Sequence, residues 1–202
     1  MKINKIYRNK IYLDNDEIMD ISPLIRQKYN LKVNDDIERF YDEISYEASF
    51  EKGIFLISLK DRTKKELRLK LEEKYRNKLA ILKVIKKLEE FGYLSDLNYA
   101  ISYIESRKYG KNRILYNLFQ KGIDKSTVEK AYLALAEEKE ENVDDIKLEK
   151  LIEKNSKKIN VSNSRDKKKM KEEQKLIQYL ARQGFSLDKI FKKLEEYKEN
   201  YE

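Results

Sequence analysis

Histidine and cysteine are absent from this chain of 202 residues, and glycine occurs only five times. Without histidine there is no imidazole to act as a general base near neutral pH or to bind a metal. Without cysteine there is no thiolate nucleophile, zinc knuckle or disulfide. The glycines are scattered and form no glycine-rich phosphate loop. We therefore expect neither an enzyme nor a cofactor site.

Long apolar runs are also missing. No run approaches the roughly 18 residues of a membrane-spanning helix, and the N-terminus lacks the charged start, apolar stretch and small-residue cleavage site of a secretion signal. We expect a soluble, cytoplasmic protein without a membrane partner. Proline occurs once, at Pro23, so no proline interrupts a helix in the rest of the chain.

Charge is abundant and unevenly placed. Charged residues make up 41% of the chain, and the net charge is +8. Lysine and arginine do not outnumber the acidic residues in residues 1–45, so the basic excess lies in residues 46–202. A positive surface there would attract a polyanionic partner at long range.

A short pattern occurs three times: a leucine, a turn residue four positions later, and a β-branched residue six further on. The copies are Leu71/Tyr75/Ile81, Leu118/Gly122/Val128 and Leu180/Gly184/Ile190. In the last two, glycine is followed by an apolar residue, which is typical of a left-handed helix cap with a hydrophobic contact behind it. Each copy predicts helix, tight turn, helix. Such units cannot bury an apolar face alone, so three in series predict an elongated array that acts as a binding device.

The predicted fold class is mainly all-α, with tandem three-helix repeats and a small N-terminal β-ribbon. We divide the chain into an N-terminal ribbon and helix (1–45) and three repeats (46–94, 95–140 and 141–202). Ser22 and Pro23 predict the start of a helix that runs to about Tyr29, and Asp35 or Asp36 is expected to cap a longer one. The polar, basic residues 154–171 predict a flexible link or solvated helix extension, so the third repeat should be tethered more loosely.

Aromatic and basic residues supply the candidates for binding. Helical spacing predicts core positions for Phe91, Tyr103, Phe119, Tyr132 and Phe185. One basic cluster comprises Arg62, Lys64, Lys65, Arg68 and Lys70, and a second comprises Arg107, Lys108, Lys111 and Arg113 around Gly110, which is expected to end a helix. Base stacking is the alternative for the five aromatic residues, and Tyr109, within the second cluster, is the better candidate for it. Both clusters are interpreted either as contact surfaces or as ordinary solvated faces.

Four segments in order and register resemble the RecX regulators of the bacterial recombinase RecA. They are residues 63–71, residues 88–96 with Tyr99 and Ala100, residues 107–118 with 121–123, and residues 182–186. The resemblance covers roughly residues 46 to 195. Tyr75 departs from it, because the family has a turn glycine there, and we expect that turn to be remodelled. Ser95 replaces the first of two usual acidic residues.

The resemblance implies a regulator of DNA repair, recombination and the SOS response. It would lie, as a monomer, in the groove of the RecA filament on single-stranded DNA, and inhibit strand exchange and ATP turnover. The candidate contacts to RecA or DNA are Arg62, Arg68, Lys70, Arg107, Lys108, Tyr109, Lys111, Arg113 and Lys121. The structural turns are Tyr75, Gly92, Gly110, Gly122 and Gly184. No metal or cofactor is implied.

Two other functions fit the residues. Helix, glycine turn, helix is also the outline of a DNA-reading helix-turn-helix, so the protein could be a DNA-binding regulator that acts alone. A purely structural scaffold would have no effect on DNA at all.

Overall fold

The computed structural model describes residues 1–159 and 167–200, which form two compact units, Met1–Asp96 and Leu97–Glu202. The first holds three strands, β1 (Ile3–Tyr7), β2 (Lys10–Leu13) and β3 (Ile18–Asp20), and four helices, α1 (Pro23–Lys28), α2 (Tyr41–Leu59), α3 (Lys64–Glu72) and α4 (Lys78–Glu90). Helix α5 (Asp96–Ser106) begins at the boundary and is followed by α6 (Lys111–Gln120), α7 (Lys125–Lys139), α8 (Val143–Lys154), α9 (Lys167–Arg182) and α10 (Leu187–Glu199). The predicted fold class is confirmed.

The N-terminal strands form an antiparallel sheet in the order β1-β2-β3. Ile3, Ile11 and Met19 are fully buried on its inner side. The Ser22 hydroxyl accepts a hydrogen bond from the Ile25 amide (3.2 Å), so α1 begins as predicted.

The predicted aspartate cap of the longer helix is wrong. The Asp35 carboxylate accepts from the Lys32 amide (2.7 Å) and Asp36 from the Glu38 amide (3.0 Å). Both side chains therefore stabilise the loop, and a 3-10 turn, Glu38–Phe40, precedes α2.

Helices α2, α3 and α4 pack into a three-helix bundle that shares one core with the sheet. The fully buried side chains Leu67, Leu71, Ile81 and Leu88 recur at helical spacing. Thr63 and Glu66 form a capping box at the start of α3, in which each side chain accepts from the backbone amide of the other.

Tyr75 fills the turn between α3 and α4 with a buried ring. Its hydroxyl donates to the carbonyl oxygens of Ala48 (3.1 Å) and Asp20 (3.2 Å), joining α2 and β3 to the turn. Its φ does not lie in the left-handed region, and α4 begins instead at Asn77, whose side chain accepts from the Ala80 amide (3.0 Å). This turn is thus built differently from a glycine turn.

A second contact ties the sheet to the same turn. The Arg76 guanidinium donates to the carbonyl oxygens of Asn15 (3.0 Å) and Asp16 (3.1 Å) in the β2–β3 loop. The neighbouring Glu17 side chain is buried and accepts from the Tyr41 hydroxyl (2.8 Å). The N-terminal strands are therefore an integral part of the first unit.

We expect Tyr75→Phe to lower the free energy of unfolding by about 1–2 kcal/mol, because the buried carbonyl oxygens of Ala48 and Asp20 lose their shared donor. Urea unfolding followed by circular dichroism measures this. Tyr93→Phe is the matched control, since that ring is 59% exposed. Equal losses in the two variants would contradict the role of the Tyr75 hydroxyl.

We expect the first unit to lose stability at alkaline pH, because Tyr41 and Tyr75 ionise less readily in the folded chain than in the unfolded one. Burial raises the pKa of Tyr41 to about 12, with the hydrogen bond to Glu17 adding to the shift, and burial also raises the pKa of Tyr75. An unfolded tyrosine ionises near pH ~10. The unfolded chain then binds fewer protons than the folded one, so stability present below pH ~10 is lost as the pH rises towards ~12.

Tyrosinate absorbance and circular dichroism recorded together against pH test this expectation. We expect a fraction of the 15 tyrosines to ionise late, together with loss of helix signal. Uniform ionisation near pH ~10, with the helix signal intact, would contradict it.

In the second unit, α5–α7 and α8–α10 enclose two hydrophobic cores. The repeat positions Leu118, Val128, Leu180 and Ile190 are all fully buried. Gly122 and Gly184 adopt φ of 86° and 95°, and the amides of Ile123 and Phe185 behind them donate to Leu118 (3.0 Å) and Leu180 (3.3 Å). Both turns are left-handed caps with a buried apolar residue behind them.

Two predictions about side chains are wrong. Phe91 is 53% exposed and Phe119 is 69% exposed, whereas Tyr132 and Phe185 are buried and Tyr103 is half-buried. Each exposed ring follows the last buried leucine of its helix, and that of Phe91 makes only an edge contact with Phe50 of α2, at 6.4 Å between ring centres. In the insert, residue 154 ends α8 and residues 167–171 begin α9, which fits the alternative of a helix extension. The flexible link stays a prediction, because residues 160–166 lie outside the described residues.

Among the described residues, none of the helices combines the length and the apolar character that a membrane crossing needs.

Candidate nucleic-acid interface

In the first basic cluster, on α3 and the loop before it, three cations pair with carboxylates and Arg62 donates to a backbone carbonyl. Its partners are the Leu56 carbonyl for Arg62 (3.2 Å), Glu72 for Arg68 (3.5 Å), Glu73 for Lys70 (2.8 Å) and Glu89 for Lys64. Exposed pairs of this kind contribute little stability. They do reduce the positive field that this face presents to a polyanion.

The second cluster forms what we call the basic corner: Arg107, Lys108, Tyr109, Lys111 and Arg113, between α5 and α6. None of its four cations makes an ion pair within the part of the chain that the structure describes. The one acidic neighbour in sequence, Glu105, is paired with Lys139 at 2.8 Å. The corner thus keeps its positive charge.

Only part of the basic corner faces solvent. Arg107, Lys108 and Lys111 are exposed. Arg113 is half-buried: its guanidinium carbon lies 4.0 Å from the centre of the Tyr109 ring, and one nitrogen donates to the Gln183 side chain (3.2 Å). One face of Tyr109 is therefore covered from within the protein, which leaves less of the ring for a base.

Gly110 begins α6 and does not end α5, which stops at Ser106; its φ of −74° is ordinary for an N-cap. Glycine is needed there because of close packing. A Cβ on Gly110 would lie 2.5 Å from the carbonyl carbon of Gly184 and from the amide nitrogen of Phe185. The Gly110 amide donates to the Gln183 carbonyl (2.9 Å). The α9–α10 turn is thus held against α6, and the expectation of a loosely tethered third repeat is wrong.

Asp144 binds the backbone of the basic corner, and the sequence analysis did not predict this role. Its buried carboxylate accepts from the Lys111 amide (2.9 Å) and from the Tyr132 hydroxyl (3.2 Å). Burial lowers the pKa of nearby Lys147, whose ammonium donates to the Ile104 carbonyl (2.6 Å). In the sequence, Asp144 is one of many acids in the acidic stretch at residues 137–145, so no local signal distinguishes it.

The ammonium groups of Lys111, in the basic corner, and of Lys121, the last candidate, both lie beside aromatic rings. The Lys111 ammonium is 5.2 Å from the centre of the Tyr132 ring, and that of Lys121 is 5.5 Å from Tyr99. Lys111 is at the start of α6, and Lys121 follows its end. The two therefore mark opposite ends of one helix, and Lys121 is not part of the basic corner.

No group of three metal-ligating side chains occurs in residues 1–159 and 167–200.

Comparison with known proteins gives consistent matches. A family model described as "RecX, second three-helix domain" matches residues 95–131, which include the basic corner. The regulatory protein RecX of Clostridium tetani is 30% identical over 91% of this chain and 90% of its own length. That of Clostridium acetobutylicum is 29% identical over 94% of this chain and 89% of its own.

Solved structures agree with the fold. The crystal structure of RecX from Lactobacillus salivarius superposes with a TM-score of 0.62 at 28% identity, covering 75% of this chain and 96% of that one. A further crystal structure, of a regulatory protein RecX, covers 96% of this chain and 98% of its own with a TM-score of 0.61. At 22% identity it supports the fold alone.

Proposed function

The chain belongs to the RecX family of regulatory proteins, and from that premise we propose that it binds the RecA filament on single-stranded DNA along its groove and inhibits ATP turnover and strand exchange. In this role it acts as a cytoplasmic monomer whose three repeats (46–94, 95–140 and 141–202) follow the filament. Its partners are RecA and, directly or through the filament, single-stranded DNA.

The basic corner is the observation that carries this proposal. Arg107 and Lys108 are exposed and make no ion pair in residues 1–159 and 167–200. A filament groove offers DNA phosphates together with acidic protein surface, and both favour such unpaired cations. The packing of Gly110 on the α9–α10 turn fixes the backbone from which these side chains project. A rigid support reduces the entropy lost on binding.

Helix α7 argues against a helix-turn-helix that reads duplex DNA on its own. In that arrangement the helix after the turn enters the major groove and contacts bases through its first residues. The exposed side of α7 carries as many carboxylates as cations, and Lys125 at its start is paired with Glu129 at 3.7 Å. The exposed charged residues are Lys125, Glu129, Lys130, Glu137, Glu138 and Lys139. Carboxylates facing the groove would be repelled by the DNA phosphates.

Binding to three targets at one salt concentration tests the proposal. The targets are RecA filaments held on single-stranded DNA by a slowly hydrolysed ATP analogue, the same DNA without RecA, and a duplex of the same length. We expect the tightest binding to the filament. Binding to bare DNA should weaken steeply as salt is raised and depend little on base sequence.

Selective binding to one duplex sequence would overturn the filament proposal in favour of the stand-alone regulator. Binding to none of the three targets would leave only a scaffold.

A further inference from the structure

A cleft of about 700 Å³ lies in the first unit, between the β1–β2 hairpin and α2. Tyr7, on the hairpin, and Phe55, on α2, both line this cleft. Each of the two side chains is 51% exposed. The filament proposal gives this cleft no role, because the candidate contacts all lie in the repeats. Two large rings left half in water at one cleft are suited to hold a flat ligand.

Cations lie beside these rings. The Arg8 guanidinium carbon is 5.3 Å from the centre of the Tyr7 ring, and the Lys52 ammonium is 5.1 Å from that of Phe55. Lys10 also lines the cleft, without an ion pair in the described part of the chain. The Lys5 ammonium also lies over the Tyr7 ring, 5.5 Å from its centre, so a base stacked on either ring must share that ring with a cation or displace it.

Two acceptors complete the lining. The carboxylates of Asp20 and Glu51 face the cleft, and among the described residues neither side chain has a hydrogen bond or ion pair. They could accept hydrogen bonds from the exocyclic amino group of a base, while Arg8 and Lys10 pair with a phosphate.

From this combination of exposed rings, cations and uncommitted carboxylates, we propose that the hairpin cleft binds one nucleotide unit. The base stacks on Tyr7 or Phe55, its amino group donates to Asp20 or Glu51, and its phosphate lies against Arg8 and Lys10. The nucleotide comes either from the free pool or from a single strand. This site is independent of the filament proposal.

Photo-crosslinking identifies both the site and the source. The probes are 8-azido-ATP and a 12-residue oligodeoxyadenylate that carries a terminal 8-azidoadenine, each applied to the full chain and mapped by mass spectrometry. Crosslinks in residues 7–12 or 51–55 that excess ATP displaces would indicate a free nucleotide. Crosslinks there from the oligonucleotide only would indicate a strand. Crosslinks in neither segment would overturn the proposal.

Variants provide the quantitative test, with binding of the same oligonucleotide and of ATP measured directly. The double variant Tyr7→Ala with Phe55→Ala should weaken binding at least about tenfold, as expected for the loss of one base–aromatic stack on whichever ring holds the base. Arg8→Gly should also weaken it, while folding is preserved, because Arg8 has a left-handed φ of 52° that glycine adopts freely. Tyr93→Ala, which removes an exposed ring outside the cleft, is the control and should change nothing.

Equal affinity in the Tyr7→Ala/Phe55→Ala double variant, Arg8→Gly and the parent would overturn the cleft site. Filament binding by the parent protein, measured in parallel, separates that failure from a failure of the filament proposal.

Discussion

Gly110→Ala should lower the free energy of unfolding by about 3 kcal/mol, a large loss for a single added methyl group. The added carbon would lie 2.5 Å from the backbone of Gly184 and Phe185. Neither neighbour is the end of a flexible side chain. Relief therefore requires the α9–α10 turn to move away from α6, which breaks the hydrogen bond from the Gly110 amide to Gln183.

Urea unfolding of the full chain, followed by circular dichroism, measures this loss. Gly92→Ala is the matched control, because Gly92 has a left-handed φ of 75° but would bring a Cβ within 4 Å of nothing. It should cost only about 1 kcal/mol, from backbone conformation alone. If Gly110→Ala is no more destabilising than this control, the close packing of the second and third repeats is not as described.

The double charge reversal Arg107→Glu with Lys108→Glu should weaken binding to the RecA filament by at least about tenfold, because it replaces two attractive contacts with repulsive ones. The slope of log affinity against log salt should fall by about two, as expected when two cations stop neutralising phosphates. Both side chains are exposed, so we expect the helix content and the urea midpoint to stay unchanged.

The control reverses Lys150 and Lys154 on α8, which are also exposed and give the same change in net charge. It should leave filament binding close to that of the parent. If both double variants weaken binding equally, attraction depends on net charge alone, and the basic corner has no special role.

Features set by neighbouring residues were predictable from the sequence. The start of α1 at Ser22 and Pro23 and the turns at Gly122 and Gly184 depend on caps that lie within a few positions. The buried leucines of the three copies follow from helical spacing for the same reason. Each of these signals lies within a single helix or turn.

Features that depend on distant partners were not predictable. Helical spacing predicted inner positions for Phe91 and Phe119, but both side chains are exposed. Burial of a side chain at a helix end depends on which other element packs against that end. Gly110 resembled a helix end, because its close neighbour Gly184 is far along the chain. Asp144 carries no local mark of its contact with Lys111. The ion pair that occupies Glu105 beside the basic corner likewise joins it to Lys139, 34 positions along the chain.

Single-strand-dependent ATP hydrolysis by RecA from the same organism, with this protein titrated in, tests the central claim most directly. The filament account predicts inhibition at protein concentrations well below those needed to coat the DNA, and bare-DNA binding measured in the same salt defines that threshold. Undiminished hydrolysis up to the concentration that saturates the DNA would contradict it.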